Sequence, residues 1–234
     1  RATERNGSLA TRLDVCILKP AFPRSQSTWR LYTHALDRDT LATDQPGLVR
    51  LDLQLLAMID SLRAAAAAAG MPLHEKVLLV GFSASGMFVN RFALLHPDRV
   101  KAAVVGSPGG WPIVPSARDG EEVLRYPIGV ADVEELTGRP PDLAAYAALP
   151  LYFHLGDQDD NDSVTFSDGY DAQDRDLVFR RFGKTPVERW SHAERIYRDA
   201  GCKAVFRLHP GVGHTMTEEI LAEILGFLEK AMAE

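Results

Sequence analysis

Residues 76–86 read KVLLVGFSASG, an apolar run followed at once by a turn rich in glycine and serine. The short apolar run predicts a buried strand, and the residues after the turn continue with a helical pattern. A serine at such a strand-to-helix turn is typical of a nucleophile elbow, where small neighbours are required because the backbone is crowded. The sequence therefore predicts Ser83 as a nucleophile, with the Ala84 N–H as a donor to a developing oxyanion.

The turn contains a second serine, Ser85, which is the rival nucleophile. With Ser83 at the centre, the positions two before and two after are Gly81 and Ser85, which are both small. With Ser85 at the centre, the later position is Met87, which is too bulky for the crowded turn. The motif favours Ser83, although a glycine- and serine-rich turn without chemistry remains the alternative when the motif is taken alone.

Short apolar runs alternate with longer stretches of helical period along the 234 residues, of which 46% are hydrophobic. This alternation predicts a single domain of 1–234 with an α/β fold, in which a mostly parallel sheet is flanked by helices. The predicted strands are Leu13 to Leu18, Lys76 to Val80, Ala102 to Val105, Leu151 to Leu155 and Ala204 to Leu208. The predicted helices are Val49 to Ala69, Ser85 to Leu95, one capped by Thr185 and ending near Ala200, and a C-terminal helix opening at a capping box of Thr215 to Glu218.

Residues 107–149 interrupt this rhythm with several prolines and glycines. A stretch of that length without a clear period predicts a lid or cap inserted over one edge of the sheet. Within it, Trp111 and Ile113 offer apolar contact, and we expect them to line the substrate pocket. Packing of Trp111 inside the cap is the alternative.

A serine hydroxyl becomes a good nucleophile only when a base takes its proton. Residues 208–214 read LHPGVGH and place His214 on a glycine-rich loop between the last predicted strand and the last helix. His209 lies at the strand end and is the rival. Of the seven histidines, the others are expected to be solvated (His34, His74, His96, His192) or packed in the core (His154).

The acid that orients the base is expected after the preceding strand, where residues 151–164 read LYFHLGDQDDNDSV. The Gly-x-x-Asp spacing selects Asp159, and Asp157, Asp160 and Asp162 stay open as alternatives. Such a run could also bind calcium, but it lacks the glycine at position six and the glutamate at position twelve of an EF-hand loop. We predict no metal and no cofactor.

Ser83, Asp159 and His214 follow separate strands in that chain order, which resembles the α/β-hydrolase superfamily from about Leu13 to the C-terminus. The segment NRFALLHPDRV after the elbow is similar to esterases and depolymerases of that superfamily. The resemblance implies ester hydrolysis through an acyl-enzyme on Ser83. Hydrolysis of thioesters, amides or polyesters, and a non-catalytic ligand-binding protein of the same fold, are the alternatives.

The chain departs from the superfamily at the loop that supplies the second oxyanion donor. Members usually carry a glycine-rich loop after their third strand, whereas the loop after Leu18 reads KPAFPRSQS and has no glycine. Either the third strand and its loop lie upstream of Arg1, or the chain uses an unusual loop. A start at arginine rather than methionine is also consistent with a removed leader and hence with secretion.

Charge and composition limit the partners. A net charge of −6 provides no basic field for phosphate backbones, so a small ester is expected rather than nucleic acid. No apolar run approaches the length of about 18 residues that a membrane span needs. The two cysteines, Cys16 and Cys202, are expected to be buried free thiols, with a mutual disulfide as the alternative.

Overall fold

The computed structural model describes residues 9–23, 25–31 and 33–233. Its central sheet has four parallel strands, which lie side by side in the order in which they occur along the chain. Helices flank this sheet, so the predicted α/β class with a mostly parallel sheet is confirmed. The strands are β1 (Val77–Phe82), β2 (Val100–Gly106), β5 (Leu151–Gly156) and β6 (Ala204–His209), with a separate two-stranded hairpin of β3 (Arg118–Asp119) and β4 (Glu122–Val123).

The four predicted helices form with small shifts at their ends, whereas the helix Ala172–Arg181 and three short helices were not predicted. Thr185 caps its helix by accepting a hydrogen bond from the Glu188 N–H, as predicted. The last helix instead begins at Glu218 and is capped by Thr217, so the predicted cap at Thr215 is wrong. Within the described ranges, no helix combines the length and hydropathy needed to cross a bilayer. The helices are α1 (Arg38–Ala42), α2 (Leu51–Ala68), α3 (Ala84–Leu95), α4 (Val133–Thr137), α5 (Leu143–Ala147), α6 (Ala172–Arg181), α7 (Pro186–Asp199) and α8 (Glu218–Ala233).

The predicted strand from Leu13 to Leu18 is wrong. Residues 9–13 are helical, and residues 15–23 have no regular structure. Asp14 has a φ of +51°, which turns the chain at the point where a strand would have to continue. In the described part of the chain no strand pairs with the outer edge of β1, the Val15 N–H donates back to the Ala10 carbonyl at 3.1 Å, and Ile17 is 41% exposed.

The same correction applies to the first cysteine. Cys16 is exposed rather than buried, because it lies in this irregular segment. Cys202 is half-buried beside β6, and both thiols are free.

The core lies on both faces of the sheet because successive strand residues point to opposite sides. Val104 and Tyr152 face α8 in one apolar cluster, while Val105 and Phe153 point to the other face, where they join the larger cluster that includes Phe92 of α3. Burial on both faces fixes the strands, so that the loops at their carboxyl ends are held over one edge of the sheet.

Residues 107–149 pack into the larger core cluster. They contain the β3–β4 hairpin, α4 and α5, and they bury Leu124, Tyr126 and Tyr146 completely. Their role as a lid stays a prediction.

Candidate active site

Ser83 lies at the sharp turn between β1 and α3 and has a φ of +59° and a ψ of −128°. A positive φ is uncommon for a residue with a side chain, and such backbone strain is concentrated at functional sites. The Ser83 N–H donates to the Gly106 carbonyl at 2.9 Å, which ties the turn to β2. Ala84 opens the helix, so its N–H has no intrahelical acceptor and is free to point at an anion.

Two glycines make this turn sterically feasible. A Cβ on Gly81 would lie 2.2 Å from the Ser85 carbonyl oxygen, and one on Gly86 would lie 2.6 Å from that of Gly106. Both approaches involve backbone atoms, so neither position tolerates a side chain without moving the turn. The motif reading predicted a small residue at position 81, but the contact at Gly86 appears only in the structure.

The two serines of the turn have different surroundings. Ser85 Oγ donates to the Phe82 carbonyl at 2.7 Å and accepts from the Phe82 N–H at 3.0 Å. Its hydroxyl therefore bridges the last residue of β1. Ser83 Oγ instead lies 3.4 Å from Asn161 Nδ2, at the edge of the sheet where the loops that follow β5 and β6 begin.

Asp159 and His214 come together from those two loops. The Asp159 carboxylate is almost fully buried, and its Oδ2 and Oδ1 lie 2.9 and 3.1 Å from His214 Nδ1. With its Nδ1–H donated to this carboxylate, the imidazole presents the lone pair of Nε2 on its other side. That tautomer is the one a general base needs.

The other aspartates of the loop bind elsewhere or face solvent. Asp157 accepts the Gly211 N–H at 2.7 Å. Asp162 forms a bidentate ion pair with Arg189 of α7, at 2.8 and 2.7 Å. Asp160 is exposed. Among the described residues, Asp159 alone of the four candidates reaches His214.

The acid loop and the histidine loop are held together by their backbones. Asp157 N–H donates to the His209 carbonyl at 3.0 Å, and Gln158 N–H donates to the Val212 carbonyl at 2.9 Å. A Cβ on Gly156 would lie 2.0 Å from that same Val212 oxygen, so only glycine permits the two loops to cross this closely. These contacts fix the position of His214 relative to Asp159.

Asn161 is a residue of this site that sequence reasoning missed. Its Nδ2 lies 3.4 Å from Ser83 Oγ and 3.3 Å from His214 Nε2. In the described part of the chain no direct hydrogen bond joins Ser83 to His214, and the amide lies within reach of both. Residues 157–162 contain four aspartates that could supply the acid, and no sequence signal distinguishes the asparagine among them.

Trp111 and Ile113 lie in the core and are 0% exposed. The indole Nε1–H donates to the Ile128 carbonyl at 2.9 Å, and its ring stacks on Phe182 at a centroid distance of 4.0 Å. A ligand arriving from solvent meets neither side chain. We therefore leave both out of the proposed binding surface.

Two other histidines are buried. His154 in β5 is a core residue, as predicted, and burial lowers its pKa to about 4, with a smaller contribution from His209. His96 was expected at the surface, but it is 1% exposed, because its Nε2 lies 2.8 Å from the buried carboxylate of Asp52. Its location after α3 gave no signal of that partner.

Comparison with known proteins finds matches among solved structures. No protein-family model matches the chain, and no curated protein does. LpqC, a poly(3-hydroxybutyrate) depolymerase from Bordetella parapertussis, matches with a TM-score of 0.62 and 20% identity over 97% of this chain and 73% of its own. Poly(aspartic acid) hydrolase-1 from Sphingomonas sp. KT-1 matches with a TM-score of 0.53 and 20% identity over 89% of this chain and 73% of its own.

A variant of Arabidopsis thaliana SOBER1 matches with a TM-score of 0.45 and 18% identity over 77% of this chain, which spans 64% of that protein. The chain thus covers less than two thirds of that structure's length. Structural matches at identities this low establish the fold alone. That fold is the α/β-hydrolase fold.

Proposed function

We propose that this chain is a serine hydrolase that cleaves carboxylic esters through an acyl-enzyme on Ser83. The observation that supports this proposal most strongly is the pairing of His214 Nδ1 with Asp159 at 2.9 Å, beside an elbow serine with a φ of +59°. Ester hydrolysis is chosen because LpqC, the neighbour with a TM-score of 0.62, is described as a depolymerase of a polyester.

The chemistry follows from the positions of these groups. Ser83 Oγ attacks the acyl carbon while His214 Nε2 takes its proton, and Asp159 stabilises the imidazolium that forms. The Ala84 N–H, at the positive end of α3, donates to the oxyanion of the tetrahedral intermediate. Water then hydrolyses the acyl-enzyme with His214 again as base.

Polyester chains are the second candidate substrate. The specific support is again the similarity to LpqC, a poly(3-hydroxybutyrate) depolymerase, because the units of that polymer are joined by ester bonds. Amide and thioester hydrolysis would use this triad as well, and the fold does not distinguish them.

The experiment that tests the proposal combines a fluorophosphonate probe with p-nitrophenyl esters of short and medium acyl chains. Intact-mass analysis and peptide mapping should show one adduct, on the peptide that contains Ser83, and the esters should be hydrolysed. Labelling without turnover would favour a ligand-binding role for the same fold. Absence of both would contradict the proposal.

A further inference from the structure

We propose that Asn161 is a further catalytic residue, whose side-chain amide donates a hydrogen bond to the oxygen that leaves the acyl group and later to the oxygen of the attacking water. This inference rests on the proposed function. Its first support is location, because Nδ2 lies 3.4 Å from Ser83 Oγ and 3.3 Å from His214 Nε2. The leaving oxygen must pass between these two atoms to collect its proton.

The direction of the hydrogen bonds follows from the tautomer of the base. Because the Nδ1–H of His214 is donated to Asp159, Nε2 is an acceptor, and the Asn161 amide faces it as a donor. The second N–H of the amide points to Ser83 Oγ, which is also an acceptor. In the resting site the amide thus donates to the two atoms that take part in proton transfer.

The reaction removes one of these acceptors, His214 Nε2, from the amide. When Ser83 Oγ bonds to the acyl carbon, its proton moves to Nε2, which then has no lone pair left to accept a hydrogen bond. The bond from the acyl carbon to the leaving oxygen next breaks, the electron pair stays on that oxygen, and the proton of Nε2 passes to it. An N–H of Asn161 at this place stabilises the negative charge that develops on the leaving oxygen, and it transfers no proton.

The backbone around Asn161 is held on two sides. Its N–H donates to Asp159 Oδ1 at 3.0 Å, and the following residue, Asp162, is paired with the buried Arg189. The side-chain contacts are long, at 3.3 and 3.4 Å, whereas the backbone is fixed. The amide can therefore change acceptors without movement of the loop.

Gly109 provides the space in which the amide sits. A Cβ at this position would lie 2.7 Å from Asn161 Nδ2, and the Gly109 carbonyl accepts the Ser163 N–H at 3.0 Å. The loop after β2 therefore forms the wall behind the amide. A methyl group added there should push the amide off its present position.

The test measures kcat/KM for p-nitrophenyl, phenyl and ethyl acetate, a series in which the leaving group becomes steadily more basic. Asn161→Leu removes the donors at similar volume, and Asn161→Asp keeps the shape but replaces the N–H groups by an acceptor. We expect either variant to lose about 10- to 100-fold on ethyl acetate and less than about threefold on the p-nitrophenyl ester, because a good leaving group needs little stabilisation.

Gly109→Ala should show the same dependence on the leaving group, since it displaces the amide from behind. Asp160→Ala, an exposed position in the same loop, is the matched control and should leave the whole series unchanged. An equal loss of kcat/KM on all three esters would indicate a structural role for Asn161 and overturn the inference, while ester hydrolysis stands. Unchanged kcat/KM on all three esters would overturn the inference in the same way. A parent chain that hydrolyses none of the esters overturns the proposed function and this inference together.

Discussion

Asp159 Oδ2 lies 2.9 Å from His214 Nδ1, while Asp162, three residues further along the same loop, pairs with Arg189 at 2.7 Å. One short loop therefore contains a carboxylate that faces the base and another that fastens the loop to α7. The two aspartates differ in what they contact, although nothing in their chemistry distinguishes them.

Asp159→Asn should lower kcat by roughly 10³- to 10⁴-fold, because an amide at this place no longer favours the tautomer with Nε2 free or stabilises the imidazolium. Steady-state hydrolysis of p-nitrophenyl acetate measures it, with circular dichroism as the check on folding. Asp160→Asn is the control and should stay within about twofold of the parent, a margin that a surface substitution seldom exceeds. If Asp160→Asn were inactive and Asp159→Asn active, Asp160 rather than Asp159 would be the acid.

Asp162 and Arg189 form a buried ion pair, with the arginine side chain 1% exposed. Arg189→Met should destabilise the chain by about 3–5 kcal/mol, because it leaves the largely buried Asp162 carboxylate without its counter-ion. The double variant Arg189→Met/Asp162→Asn should recover part of that loss, and urea unfolding of the three variants measures the coupling. Strict additivity of the two single effects would show that the pair is not coupled.

Ser85 bonds to the backbone of Phe82 on both its N–H and its carbonyl. Ser85→Ala should therefore cost about 1 kcal/mol of stability for the lost hydrogen bonds and lower kcat by less than about tenfold. Thermal unfolding and ester turnover on the same sample separate the two effects. Loss of turnover as severe as that expected for Ser83→Ala would make Ser85 the better candidate for the nucleophile.

His154 makes the folded state sensitive to acid. Its pKa falls from an ordinary value of 6.5 to about 4 because burial penalises the charged ring. The unfolded chain thus binds more protons than the folded one between these values, so stability is full above pH 6.5 and is lost as the pH falls toward 4. The loss amounts to about 3 kcal/mol by pH 4.

Replacing the His154 side chain tests whether stability falls as the pH is lowered for this reason. In His154→Leu, the difference in unfolding free energy between pH 7 and pH 4.5 should be smaller than in the parent by about 2 kcal/mol. Urea unfolding at the two pH values gives both differences, and comparison with the parent cancels the groups that titrate in common. Equal pH dependence in the two proteins would show that His154 stays charged or hydrated in the folded state.

The sequence was informative where a local rule had one solution. Glycine and serine at the elbow, the helical periods and the Gly-x-x-Asp spacing are all local, and the structure has the turn, the four predicted helices and Asp159 where those rules indicate. The strand predicted for Leu13 to Leu18 was wrong because an apolar run becomes a strand only when it pairs with a neighbouring strand. The run itself contains no information about such a neighbour. The prediction that His96 is solvated was wrong because its buried partner, Asp52, lies 44 residues earlier in the chain, where no local pattern connects the two.

Asn161 and Trp111 show which features of the candidate site could not be predicted from the sequence. No spacing rule selects an asparagine beside an acid, and its role becomes visible only when β1, β5 and β6 bring their loops to one edge. Trp111 follows β2 in a loop rich in proline and glycine, which is as compatible with a pocket wall as with the core. Packing against Phe182 determines which of the two it is.

The central claim is that Ser83 Oγ carries the acyl group. The most direct measurement mixes the chain with p-nitrophenyl acetate, quenches the reaction in acid within its first turnovers, and determines the intact mass and the labelled peptide. We expect an added acetyl group on the peptide that contains Ser83, no adduct in Ser83→Ala, and a normal adduct in Ser85→Ala. An acetyl group on any other residue, or acetylation that persists in Ser83→Ala, would contradict the account.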